Sequence, residues 1–104
     1  MGYQVALTPS ARADLREIVR YISLDTPGRA IDFGQFLVSQ VRRLADHPEI
    51  DRIVPEFGEP SLREIVVRPY RVIYRIDAKA GRIDVVRFWH AARGIPGVSP
   101  LSIP

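Results

Sequence analysis

Thr-Pro occurs twice in the first 27 residues, at 8–9 and at 26–27, and each pair heads a run with one apolar stripe. A threonine in extended backbone accepts from the orphan amides of a first helical turn. The proline behind it fits the first helical position, where its missing N–H is not needed. Behind the first pair, Ala11, Leu15, Ile18, Val19 and Ile22 share one face, leaving Asp14, Arg16, Glu17 and Arg20 mostly outward. Behind the second, Ala30, Phe33, Leu37, Val41 and Leu44 form the stripe, and His47-Pro48 ends it. Two amphipathic helices joined across so short a turn close as an antiparallel hairpin. Their stripe must then be covered by something else in the chain.

The rest of the sequence supplies a sheet. Tyr3, Val5 and Leu7 alternate with Gln4 and Ala6, which reads as a strand over 3–8. Residues 48–61 hold three prolines and no period, and read as a loop. Three β-type runs follow, at 62–68, 70–77 and 82–89, separated by Pro69 and by Ala78-Lys79-Ala80-Gly81. Both separators are short enough for hairpins, giving an antiparallel meander. Over 70–77, Tyr70, Val72, Tyr74 and Ile76 take one face and Arg71, Ile73, Arg75 and Asp77 the other. The helices are expected on the first face, and the second displays arginines. Phe88 and Trp89 fall out of phase, so one of them should be partly exposed. The order β-α-α-β-β-β predicts an α+β fold, a helical hairpin packed on a mainly antiparallel sheet. A single domain is expected over 1–96, with an extended or disordered Pro/Gly-rich tail over 97–104.

Composition narrows the chemistry. At 104 residues without cysteine, the chain is one domain with no disulfide, thiolate zinc site or cysteine nucleophile. No His/Asp cluster has metal-ligand spacing, so neither metal nor cofactor is expected. Ile65-Val66-Val67, the longest aliphatic stretch, is far too short to span a bilayer, and no leader is evident at the N-terminus, so no membrane partner and a cytoplasmic location are expected. The net charge of +3 lies entirely in residues 53–104, where eight basic residues face five acidic ones. Such asymmetry fits a basic face that meets a polyanion or an acidic partner. Arginine supplies all the cations but Lys79, a bias that genome composition explains equally well.

Three stretches taken together resemble the ParE/RelE superfamily of bacterial type II toxin–antitoxin toxins. They are Leu7-Thr8-Pro9-Ser10-Ala11 with Asp14, Leu15 and Ile18; Arg63-Glu64-Ile65 through Tyr70-Arg71-Val72-Ile73-Tyr74-Arg75-Ile76; and Val85-Val86-Arg87-Phe88-Trp89-His90-Ala91-Ala92-Arg93. The resemblance runs from about residue 3 to residue 96. It implies the fold derived above, a growth-inhibiting role of the plasmid-stabilisation type, and an acidic cognate antitoxin whose C-terminal segment is partly disordered alone.

The superfamily contains two chemistries. ParE-like members poison DNA gyrase without an identified catalytic centre. RelE-like members are metal-independent endoribonucleases that cut mRNA in the ribosome. RNA cleavage needs a base, an acid for the leaving oxygen and cationic support for the phosphorane. The candidates are Glu56 or Glu64 as base, His90 as acid, and Arg71, Arg63 or Arg75 for charge. Each has a structural alternative: His90 as a cap on the sheet, Arg71 and Arg75 paired with Asp77, Asp84 or Glu64, and Glu56 as a solvated carboxylate. Scarce lysine, no tyrosine after Tyr74, and the His-x-x-Arg ending resemble ParE more closely. On that reading the chain inhibits gyrase and is not an enzyme, and Arg63, Arg71, Arg75, Arg87 and Arg93 meet the target or the antitoxin. A plain interaction module of the same ancestry is a third reading.

Overall fold

The computed structural model describes residues 2–98. Strand β1 spans Gln4–Leu7, helix α1 Pro9–Ser23 and helix α2 Pro27–Arg42, which ends in a 3-10 turn at Arg43–Ala45. Four strands follow: β2 at Arg52–Ile53, β3 at Leu62–Val67, β4 at Tyr70–Asp77 and β5 at Arg82–His90. They form one sheet in the order β1-β5-β4-β3-β2. The expected β3-β4-β5 meander is antiparallel throughout, and β1 lies parallel to β5. The architecture is the helical hairpin on a mainly antiparallel sheet that the periodicities predict.

Local details depart from that reading. Thr8 caps α1, its hydroxyl accepting from Ala11 N–H at 3.2 Å. Thr26 makes no such bond, and its hydroxyl meets the neighbouring Asp25 instead. The second Thr-Pro thus starts its helix through the fixed φ of proline alone. The stretch 48–61 is not all loop, since Arg52 and Ile53 pair with Glu64 and Arg63. A two-residue strand is too short for alternation to reveal it. Gly34 lets the hairpin close, because a Cβ there would lie 3.1 Å from a Val19 methyl.

Two apolar cores flank the sheet. On the helix side, Ala11, Ile18, Leu37, Val41 and Leu44 pack on Val72, Tyr74, Ile83, Val85 and Phe88. The opposite face does not stand open as expected. Val54 and Phe57, from the segment before β3, and Val98 beyond β5 cover Leu62, Ile73, Val86 and Trp89. Phe88 and Trp89 are therefore both buried, at 3% and 5% exposure. A register slip between Ile73 and Tyr74 makes β5 bulge near Val86, which brings both Val85 and Phe88 onto the helix side. Of the expected tail, Val98 is buried and Gly97 lies against the Trp89 indole, while 99–104 fall outside the described residues. Among the described residues no helix is long and apolar enough to cross a membrane.

Candidate functional site

Arg71 organises the covered face. Its Nε donates to Glu64 Oε1 at 2.6 Å, and its two terminal nitrogens grip Glu56 bidentately at 2.8 and 2.6 Å. Glu64 is fully buried and takes a second cation, Arg52, directly across from it on β2. Glu56, expected to be solvated, is held by this fork. The hydrogen bond from Arg71 pulls its carboxyl below the usual range. The same bond, aided by Glu64, raises the Arg71 guanidinium against the opposing cost of burial. Of the alternatives for Arg71, Glu64 is the partner, and Asp77 and Asp84 are not.

The other arginines singled out by sequence are mostly turned to internal use. Arg63 donates to the carbonyls of Pro60, Glu49 and Asp51, pinning the segment before β3. Arg75 reaches Glu59 at 3.1 Å and leaves Nε and Nη2 buried without a partner among the described residues. Arg87 binds Asp14 at 2.7 and 3.0 Å. Asp14, expected outward, also accepts from Phe88 N–H at 3.0 Å. Its place follows from topology: β1 ends at Leu7 opposite Val85, so the rest of β5 has no strand on that side among the described residues, and α1 supplies an acceptor. Arg93 makes no hydrogen bond to a described residue and stacks over Trp89 at 3.9 Å. The arginine face fails as a display surface because a second core needs covering there, and the covering chain is tied down by those cations.

His90 lies on the other side. It pairs with Tyr70 in register, the two rings meeting edge to face at 5.1 Å. Tyr70 belongs to the helix-side core and also touches Phe33, at 5.7 Å between centroids. Burial first, and Tyr21 second, raise the Tyr70 phenol. His90 Nδ1 accepts from Ala92 N–H at 3.1 Å, so the ring caps the 3-10 turn at Ala91–Arg93. The structure thus brings Arg71, Glu56 and Glu64 together and sets His90 on the opposite face. An acid and a cation separated by the sheet cannot serve one phosphodiester.

Around His90 the surface opens into two adjoining clefts. One, of about 350 Å³, is bordered by Asp14, Glu17, Ile18, Tyr21, Phe88 and Arg93. The other, of about 610 Å³, lies between the hairpin tip and the β3–β4 turn, with Leu24, Arg29, Phe33, Arg68 and Pro69 in its walls. Tyr21, Tyr70 and His90 border both. Arg29 and Arg68 escaped the sequence reading because single charges at a helix start and a turn carry no periodic signal. Among the described residues, no group of three or more His, Cys, Asp or Glu is placed to hold a metal.

Comparison with known proteins places this geometry. The family model for the ParE toxin of type II toxin–antitoxin systems matches residues 5–95. Toxin RelE2 of Caulobacter vibrioides is 38% identical over 90 residues, spanning 86% of this chain and 97% of its own. The fold superposes on the chromosomal ParDE system of P. aeruginosa with a TM-score of 0.70 at 23% identity, covering 85% of this chain and 95% of that one. It superposes on the toxin–antitoxin complex RelBE2 of Mycobacterium tuberculosis with a TM-score of 0.63 at 22% identity, covering 86% and 99%. A family match from β1 to past β5, on a fold reached independently from the periodicities, means that the chain belongs to the ParE toxin family, within the ParE/RelE superfamily of type II toxin–antitoxin toxins.

Proposed function

We propose that this chain inhibits growth by acting on DNA gyrase, not by cutting mRNA, and that a cognate antitoxin neutralises it. The observation that carries the choice of target is the division of the ribonuclease candidates between two faces. Arg71 is held by Glu56 and Glu64, and His90 stands across the sheet from all three. A phosphorane needs a cation free to meet it, and the charge of this guanidinium is already matched by two carboxylates. The match to the ParE family supports the gyrase side. The solved M. tuberculosis relative, a toxin–antitoxin complex, supports the antitoxin.

The test is incubation of the purified chain with gyrase, ATP and plasmid, followed by detergent and protease. Linear DNA is expected to accumulate, and the antitoxin to suppress it. His90→Ala is expected to leave that activity unchanged. Intact plasmid together with mRNA cleavage on translating ribosomes would overturn the gyrase assignment and restore the ribonuclease.

A further inference from the structure

β1 is an edge strand, bonded to β5 on one side and to no strand on the other among the described residues. The parallel ladder fixes which of its backbone groups face out. Gln4 N–H donates to Gly81 O and Thr8 N–H to Val85 O, so Gln4, Ala6 and Thr8 turn toward β5 while Tyr3, Val5 and Leu7 turn away. Both ends of that outward row are occupied. Tyr3 N–H donates to Ala45 O at 2.7 Å, and Leu7 O accepts from Arg12 Nε at 3.4 Å. Between them, Tyr3 C=O, both backbone groups of Val5 and Leu7 N–H have no partner among the described residues.

This row is its own complement. About a two-fold axis at Val5, two copies of β1 run antiparallel with Val5 opposite Val5 and Tyr3 opposite Leu7. The Val5 pair exchanges two hydrogen bonds, and each Leu7 N–H donates to the Tyr3 C=O of the other copy. The groups the ladder would need next, Tyr3 N–H and Leu7 O, are those already engaged, so it ends there. The side chains agree. Tyr3, Val5 and Leu7 are half-buried against the helix-side core, and the pairing continues that core across the axis. A Cβ on Gly2 would lie 3.4 Å from the Asp46 carboxylate, so an exposed acid flanks one end of β1, and Arg12 flanks the other. The axis turns Arg12 of each copy toward Asp46 of the other. Gln4-Val5-Ala6 carries no charge or proline to guard the edge. The opposite edge, β2, has two residues, one of them Arg52, with Pro55 just beyond, and is a poor template.

We infer that β1 is a self-association edge: two copies of this chain pair antiparallel through residues 3–7, joining their sheets into one across the axis. The partner is a second copy because the free groups, the apolar face and the flanking charges all match under one two-fold rotation. Five residues from each copy make a small interface, so the association is concentration-dependent, with a midpoint on the order of 100 µM. The inference concerns the chain alone and does not rest on the gyrase assignment above.

Sedimentation velocity of the purified chain from about 10 µM to about 1 mM tests it, with a shift from monomer to dimer expected. In this register Gln4 of one copy stands opposite Ala6 of the other, and both are exposed, so substitutions there should leave thermal melts unchanged. Gln4→Lys/Ala6→Lys sets like charges opposite each other and should weaken the dimer about 10-fold. Gln4→Glu/Ala6→Lys sets opposite charges there and should dimerise at least as well as the wild type. Amide hydrogen exchange on the wild type gives a readout without substitution. The Val5 and Leu7 amides should exchange freely in dilute solution and gain protection on concentration, while Ala6, bonded to β5, stays protected in both. A chain that remains monomeric at about 1 mM, or that dimerises with Val5 and Leu7 unprotected, overturns the inference. Equal affinity in the two charge variants removes this register and overturns it as well.

Discussion

Arg71 sits between two carboxylates, one of them fully buried, and its removal leaves Glu64 to Arg52 alone and Glu56 to solvent. Arg71→Ala is expected to destabilise the chain by about 2–3 kcal/mol, the loss of hydrogen bonds to charged groups, because Arg52 still compensates the buried Glu64. Urea unfolding measures it. Arg71→Met combined with Glu64→Leu should recover most of that loss, because an apolar pair needs no hydrogen bonds. Glu56 adds a pH dependence whose sign follows from its lowered carboxyl. The Arg71–Glu56 contact contributes fully above the unfolded carboxyl value, ~4.3, and fades as pH falls through the lower folded value. The urea midpoint of Glu56→Gln should therefore vary less than that of the wild type between about pH 5 and pH 2. Of this network, the sequence shows Arg71 on a non-core strand face, with Glu64 among its potential partners. Glu56 is fifteen residues away in a stretch with no period, and only the folded loop brings it in.

At the scale of elements, the two Thr-Pro pairs look equivalent and behave differently. Thr8→Ala removes the Ala11 N–H acceptor and should cost about 1 kcal/mol, while Thr26→Ala, with no cap bond to lose, should cost only a few tenths. Urea midpoints of the two variants give the comparison. The hairpin, the meander and their order are legible because 3.6- and 2-residue periods report burial directly. β2 was missed because two residues cannot show a period, and the bulge near Val86 because nothing in Val85-Val86-Arg87 marks an extra residue. That bulge matters for the candidate site, since the pairing of β4 with β5 decides which of Trp89 and His90 shares a face with Arg71.

For the molecule as a whole, the consequential feature is a sheet covered on both faces. Val98 closes the second core beside Trp89, the sole tryptophan. Val98→Asp should cost about 2 kcal/mol or more through loss of apolar burial and an unpaired charge. It should also shift native-state emission to the red as water reaches the indole, and an unchanged emission maximum would mean that Val98 does not seal this core. The same covering explains where exposed cations remain. With Arg63, Arg71, Arg75 and Arg87 tied inward, cations without a partner among the described residues persist at the hairpin tip, the β3–β4 turn and just past β5. The positive second half of the chain is thus largely internal scaffolding, and net charge alone does not locate the exposed cations.

Element types, chain order and the helix-side core were determined by the sequence itself, because each depends on residues close together in the chain whose spacing records burial. The partners of the arginines, the second core and the separation of His90 from Arg71 were decided only by the tertiary structure. They depend on strand register, on one bulge and on a loop folding back across a sheet. Those are contacts between distant residues, and a hydrophobic period carries no record of them.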